Sequence, residues 1–324
     1  MTVDLQPYEK GYASIIIEMS LRQFTKHLAT YLLGMVLLWG ITGCNVLKSS
    51  GPTATASATI VLNTATPVPP TATPAPMAVT VNGVGIQLSD YQGELQRYQA
   101  AQSAAGKTVD AASAAKTVMD DLVDQQLLAQ AAFKAGYQLD DAQLQAHIDG
   151  LVEQLGDASK LASWEKQNDY TDDSFRRLEK LSLAAAWERD QIINSVPQTA
   201  AQVHARQILV FTQADADSIE SQVKSGSDFA TLALNYDPDT GGDLGWFPKG
   251  YLTETAIETA AFSMTAGQVS DVIKTDLGYH IIQVIAVDPQ HALSPDARLV
   301  LQHKALEAWL QNQQTNSTIK ILTP

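Results

Sequence analysis

Side chains able to act as nucleophile, acid, base or metal ligand are few and scattered in this sequence. The chain has one cysteine, Cys44, and 6 histidines. A single cysteine forbids an internal disulfide, a cysteine-rich metal site and a CxxC redox pair. His147 stands alone in a helical pattern, where a plain surface or core role is expected, and His291 and His303 lack ligand spacing and are expected on the surface. His280 lies in the apolar run LGYHIIQV, and Gln207 in VHARQILV. Gln207 offers a donor and an acceptor but cannot titrate. His204, three residues earlier on the same strand, has the opposite parity and is expected on the other face of a sheet.

The elements that must position these residues can be read from pattern. Val203–Phe211 reads as a strand. Asp215–Lys224 reads as a helix with Ile219 and Val223 on one face and Gly226 as its stop. Phe229–Asn235 forms a second helix, and the glycine-rich turn GGDLGWF (241–247) leads to a helical pattern over Ile257–Met264. Val272-Ile273 and His280–Val287 close with two short strands. This order implies an α+β domain around a small antiparallel sheet.

Ahead of it lies a helical lobe. Ala78–Val81, followed by Asn82-Gly83, reads as a strand and turn, then Ile86 and a helix capped by Ser89. Met119, Leu122, Val123, Leu127 and Leu128 recur at helical spacing up to Gly136. Further helical patterns cover Asp141–Leu155, Leu161–Gln167 and Ser174–Ile193, and Pro197 ends the lobe. After Pro289, a helix is expected over Pro295–Gln313 with Leu299, Val300, Leu306, Trp309 and Leu310 on its apolar side. The strand-like TIKIL (318–322) is expected to pair with Ala78–Val81.

Composition sets outer limits. With 324 residues, 45% of them hydrophobic and 17% charged, the chain has room for two domains plus extensions and is not disordered throughout. A formal charge of −14, from 21 Lys+Arg against 35 Asp+Glu, argues against a broad grip on nucleic acid.

The N-terminal region reads as an address. Leu28–Ile41 (LATYLLGMVLLWGI) is apolar and uncharged, too short to span a bilayer comfortably and suited to the core of an export signal. Arg22, Lys26 and His27 place positive charge before it. Ile41-Thr42-Gly43-Cys44 resembles a bacterial lipobox, in which cleavage exposes Cys44 for lipid attachment. The alternative is an uncleaved anchor helix with an idle thiol. Residues 1–18 suit no signal, so translation is expected to begin at Met19. Residues 44–77 are rich in Thr, Pro and Ala and read as an extended tether or, with the same geometry, an O-glycosylated stalk.

VHARQILV, GGDLGWF, AAFSMTAGQVSDVI and LGYHIIQV occur in the order and spacing of a parvulin-type peptidyl-prolyl isomerase, which this part of the chain resembles. The segment VTVNGVGIQLSDY…VMDDLVDQQLLAQAAFKAGY resembles the N-terminal lobe of SurA/PrsA-type exported foldases. The resemblance implies a signal peptide over 1–43, the tether, a helical chaperone lobe over 78–199 and a parvulin domain over 200–288. The C-terminal segment 289–324 would return to the lobe, so that the parvulin domain is an insertion in a discontinuous all-α lobe.

The reaction implied is rotation about an X–Pro amide, whose barrier is about 18–20 kcal/mol. No bond need break. An enzyme can grip the proline ring in an apolar pocket and favour the twisted amide, with no cofactor and no metal. By resemblance the pocket would use Leu244, Phe247, Leu252, Ile257 and Phe262. Parvulins usually place a Met and a Phe where this chain has Leu252 (or Thr253) and Ile257, and Phe262 reads equally as core. The family's polar cluster holds two histidines and a Cys or Asp. His280 matches the second histidine and Asp239 falls near the acidic position, while Gln207 stands where the first histidine is usual. The loop after the first strand, residues 212–217, holds two aspartates and no Lys or Arg, which disfavours phosphorylated substrates.

The resemblance thus implies a foldase anchored outside the cytoplasmic membrane or at another envelope membrane. Its expected partners are unfolded, newly exported polypeptides with X–Pro bonds, and no nucleic acid. Two other readings stand beside it: a holdase with a non-catalytic parvulin domain, favoured by Gln207, and a solute-binding lipoprotein.

Overall fold

The computed structural model describes residues 75–323. The export signal, Met19, Cys44 and nearly all of the tether lie outside the described residues. The chain begins β1 (Met77–Val81), β2 (Val84–Gln87), α1 (Leu88–Ala104), α2 (Ala111–Lys134), α3 (Asp141–Leu155), α4 (Ala158–Gln167) and α5 (Asp172–Asn194). It continues β3 (Thr199–Val210), α6 (Gln213–Lys224), α7 (Phe229–Tyr236), β4 (Asp243–Pro248) and α8 (Thr255–Ser263). The last elements are β5 (Ile273–Thr275), β6 (Gly278–Ala292), α9 (Pro295–Asn316) and β7 (Ile319–Ile321). Among the described residues no helix is long and apolar enough to cross a membrane.

Two compact units result, and their division falls within α2 and α5. One holds the chain up to Val123, Asp140–Arg177 and the end from Ile319; the other holds Asp124–Leu139 and Leu178–Thr318.

In the first unit a three-stranded sheet has the order β2-β1-β7. Asn82 and Gly83 both have positive φ (53° and 84°), the backbone of a type I′ turn, which suits the twist of the β1–β2 hairpin. The C-terminal strand β7 pairs antiparallel with β1, Val81 opposite Ile319 and Val79 opposite Ile321. Ser89 does not cap α1. β2 runs straight into the helix, the Leu88 N–H donates to Pro76 O (2.8 Å), and Gln87 occupies the cap position without a side-chain bond. Arg177 holds the buried Asp90 through both carboxylate oxygens, at 2.7 and 2.9 Å.

The second unit is built on a four-stranded antiparallel sheet of order β4-β3-β6-β5. Alternation along β3 separates two cores. Val203 and Ala205 pack with Phe247, Ile257, Ala261, Ile282 and Val284 on the face covered by α8. Ile208 and Val210 pack with Ala216, Ile219, Phe229, Ala233 and Ile281 on the face covered by α6 and α7. Most of GGDLGWF is strand rather than turn, because residues 243–248 pair with β3. β6 runs past Pro289 to Ala292. That proline, which has no N–H to give, sits where the register against β3 shifts between Ala200 and Gln202.

The C-terminal helix belongs to this unit together with the ends of α2 and α5. Gln314 hydrogen-bonds Asp124, and Gln302 donates to Ile193 O (3.1 Å). Leu306 and Leu310 are buried, whereas Leu299 is 66% exposed, so the apolar side is narrower than its sequence suggests.

Candidate active site

Gln207 and His280 come from neighbouring central strands. Gln207 opposes Ile282 and Leu209 opposes His280, so both polar side chains rise from the α8 side of the sheet. His280 Nδ1 and Gln207 Oε1 are 2.9 Å apart, and Thr275 Oγ1 lies 2.9 Å from Nε2. An amide oxygen can only accept, so the ring carries its proton on Nδ1. Thr275 Oγ1 accepts from the Leu277 N–H (3.1 Å) and gives its own proton to Nε2. His280 is 1% exposed. Burial holds its pKa below the ordinary imidazole value, with the charge of Glu254 acting in the opposite sense. At neutral pH the ring is an uncharged relay between Thr275 and Gln207.

The backbone of Gln207 is fixed as tightly as its side chain. Its N–H donates to Gly242 O at 2.8 Å. Gly242 has φ +69°, and a Cβ there would lie 1.9 Å from Gln207 O, so only glycine fits this approach.

Asp239 stands exposed on the turn between α7 and β4, and among the described residues no hydrogen bond joins it to Gln207 or His280. The turn instead converges on Asp237. Its carboxylate accepts from the N–H groups of Asp239 (3.2 Å), Thr240 (3.2 Å) and Gly242 (3.3 Å), and from the Thr240 hydroxyl. The Thr240 hydroxyl and these amides hold the carboxyl of Asp237 below the usual range.

The five candidate pocket residues lie in one cluster, at two depths. Phe247 (0% exposed) and Ile257 (4%) are in its interior. Leu244, Leu252 and Phe262 are partly buried against it, as are Tyr251 and Met264, which the sequence reading did not single out. Phe262 meets Phe247 edge-on (6.1 Å between centroids, 74°), so the accessible ring rests on the buried one. A surface depression beside Phe262 is lined by Lys249, Glu258, Thr259 and Ser263. Glu258 is also new: it is buried, and three backbone N–H groups of the loop after β4 donate to its carboxylate.

His204, also on β3, lies on the other face. His204 Nε2 is 2.8 Å from Asp243 Oδ1, and its ring tilts against Trp246. Trp246 in turn stacks on His291 at 4.0 Å, so His291 is a half-buried stacking partner rather than a plain surface residue. Among the described residues no three His, Cys, Asp or Glu side chains are grouped to hold a metal ion.

The site thus joins a neutral hydrogen-bonded relay to an apolar, aromatic-lined cluster on an α+β sheet. Residues 196–286 match the PPIC-type peptidyl-prolyl isomerase domain, and residues 71–169 match the SurA-like N-terminal domain. The chain carries both domains. It is similar to the foldase protein PrsA of Geobacillus sp. (strain WCH70), 33% identical over 183 residues, covering 52% of this chain and 62% of that protein. PrsA of Bacillus subtilis (strain 168) is 41% identical over 85 residues, 25% of this chain and 29% of the relative. The match thus spans no more than about three fifths of these relatives' length. A crystal structure of the peptidylprolyl isomerase PrsA from Bacillus cereus aligns over 77% of this chain and 95% of its own, at 21% identity and TM-score 0.43.

Proposed function

We propose that the protein is an extracytoplasmic, lipid-anchored foldase that catalyses cis–trans isomerisation of X–Pro bonds in exported, unfolded polypeptides. The observation that carries this reading is the Nδ1–Oε1 contact of His280 and Gln207 beside the Phe262–Leu252 surface. Proline would lodge against Leu244, Leu252 and Phe262, with Phe247 and Ile257 as the floor. Gln207, partly exposed, uses its amide oxygen on His280 and has its NH₂ left to donate to a bound peptide carbonyl. His280 is too buried to touch a client and acts by holding that amide in place. Desolvation favours the twisted amide, which has lost its conjugation and with it part of its polarity. Asp239 would then face the client from the rim rather than from within the network.

On this reading Cys44 carries the lipid, residues 44–77 form the tether, and the parvulin domain at 200–288 is inserted in a helical lobe at 78–199. The segment 289–324 would return to that lobe through β7, while its helix lies in one unit with the sheet and the ends of α2 and α5. The antiparallel β1–β7 pair supports a return of the chain end. Clients would be recognised by X–Pro bonds and exposed apolar segments, without nucleic acid.

A second reading, a holdase without catalysis, is favoured by Gln207 itself, since it removes one of the family's two histidines. Refolding of an unfolded protein whose slow phase is limited by proline isomerisation separates the two. Acceleration of the slow phase by substoichiometric full chain supports the foldase. Suppressed aggregation at an unchanged slow-phase rate supports the holdase. Mass spectrometry of the membrane-extracted protein tests Cys44, with a lipid-modified N-terminal cysteine expected.

A further inference from the structure

We infer that Glu258 is a positioning residue for the proline pocket, fixing the spacing between its two walls; this rests on the isomerase reading above. Glu258 lies on α8 between Ile257 and Thr259, one turn before Phe262, and is 8% exposed. Its carboxylate accepts from three consecutive backbone N–H groups, Gly250 (2.7 Å), Tyr251 (3.0 Å) and Leu252 (3.1 Å). Successive N–H groups aimed at one anion form a nest, and bonds to an ionised acceptor are among the stronger hydrogen bonds. Tyr251 and Leu252 pack on the pocket cluster from the loop side, and Ile257 and Phe262 from the helix side. One carboxylate therefore ties both walls together.

Lys249, over the Phe262 ring at 5.3 Å, adds a weaker link between the same loop and α8. Glu254 occupies the cap position of α8 without a side-chain cap bond. The Gln207–His280 pair stands on the sheet and makes no hydrogen bond to Glu258. Loosening the loop should then weaken the grip on proline while leaving the polar relay as it was. In Glu258→Gln an NH₂ replaces one oxygen and meets an N–H donor head on, so at least one loop amide loses its acceptor. Glu258→Asp keeps the charge on a shorter stem.

The test is exchange NMR of an unphosphorylated Ala-Ala-Pro-Phe peptide at several concentrations, with full-length wild type, Glu258→Gln and Glu258→Asp. The expected result for Glu258→Gln is a KM raised about tenfold with kcat within about twofold of wild type, the signature of lost ground-state binding. Glu258→Asp should recover part of that loss. A KM unchanged in Glu258→Gln, or a kcat that falls alone, overturns the proposal. An inactive wild type counts against the isomerase reading instead. Glu258 is then judged by the Kd of the same peptide, and an unchanged Kd in Glu258→Gln overturns its role. Should the variant not fold, amide exchange in wild type decides. The Gly250, Tyr251 and Leu252 amides should be protected like those of β3 and β6, and exchange at exposed-loop rates overturns the proposal.

Discussion

Gln207 Oε1 accepts a 2.9 Å hydrogen bond from Nδ1 of His280, and this contact between adjacent central strands sets the tautomer of a ring that is 1% exposed. A glutamine in this place keeps the buried ring oriented without adding a second titrating group. Replacing it with leucine leaves the Nδ1–H buried and without an acceptor. An orphaned buried donor costs about 1–3 kcal/mol. Gln207→Leu should therefore lower the thermal midpoint of the full chain and reduce kcat/KM, read by calorimetry and exchange NMR.

The pH dependence follows from the same ring. His280 is depressed below its ordinary pKa by burial, against the opposing charge of Glu254. The unfolded ring gains a proton near pH ~6.5 while the folded ring gains it only at lower pH, so the unfolded state binds more protons in between. Stability is accordingly lost as pH falls below about 6.5 and is flat above it as far as this group is concerned. Stability curves at pH 7.5, 6.5 and 5.5 should show the decline for wild type. The difference should shrink in His280→Gln, and a wild type indifferent over this range would remove the buried neutral ring from the account.

Depth in the pocket cluster separates stability from catalysis. Phe247 is fully buried, so Phe247→Ala should destabilise by about 3–5 kcal/mol, the usual cost of emptying a packed aromatic site. Leu252 and Phe262 are only partly buried against the same cluster. Leu252→Ala and Phe262→Ala should cost less stability and lower kcat/KM more than their stability loss explains. Thermal midpoints set beside peptide exchange rates give both axes.

The two aspartates of the turn before β4 should behave differently. Asp237 gathers the N–H groups of Asp239, Thr240 and Gly242, and Gly242 O holds the Gln207 N–H. Asp237→Ala should loosen the turn and lower activity through Gln207. Asp239→Ala should act only on client affinity, through the rim. Parallel kcat and KM determinations distinguish the two effects.

Much of this site could be read from the sequence because the relevant signals are local. The strand texts VHARQILV and LGYHIIQV match the places of the two parvulin histidines, which is what brings Gln207 and His280 together, and parity within β3 sends His204 to the opposite face with Asp243 and Trp246. What was not legible depends on contacts between backbone and side chain across loops. Glu258 reads as an ordinary helix-surface acid until the loop after β4 folds three N–H groups onto it. Thr275 and Asp237 likewise find their partners only after β5 and the turn are placed. GGDLGWF looks like a turn because of its glycines, yet only sheet pairing with β3 decides that Asp243–Pro248 is strand. Leu299 continues the apolar spacing of the last helix but is left exposed, since pattern says which residues could be covered and not how far the cover extends.

The most direct measurement is exchange NMR of an unphosphorylated X–Pro peptide with full-length wild type and Gln207→His side by side. Wild type is expected to catalyse exchange at substoichiometric enzyme, with Gln207→His changing its magnitude and pH profile but not creating it. Absence of exchange in wild type, with activity appearing only when the histidine is restored, would contradict it and leave a peptide-binding chaperone in its place.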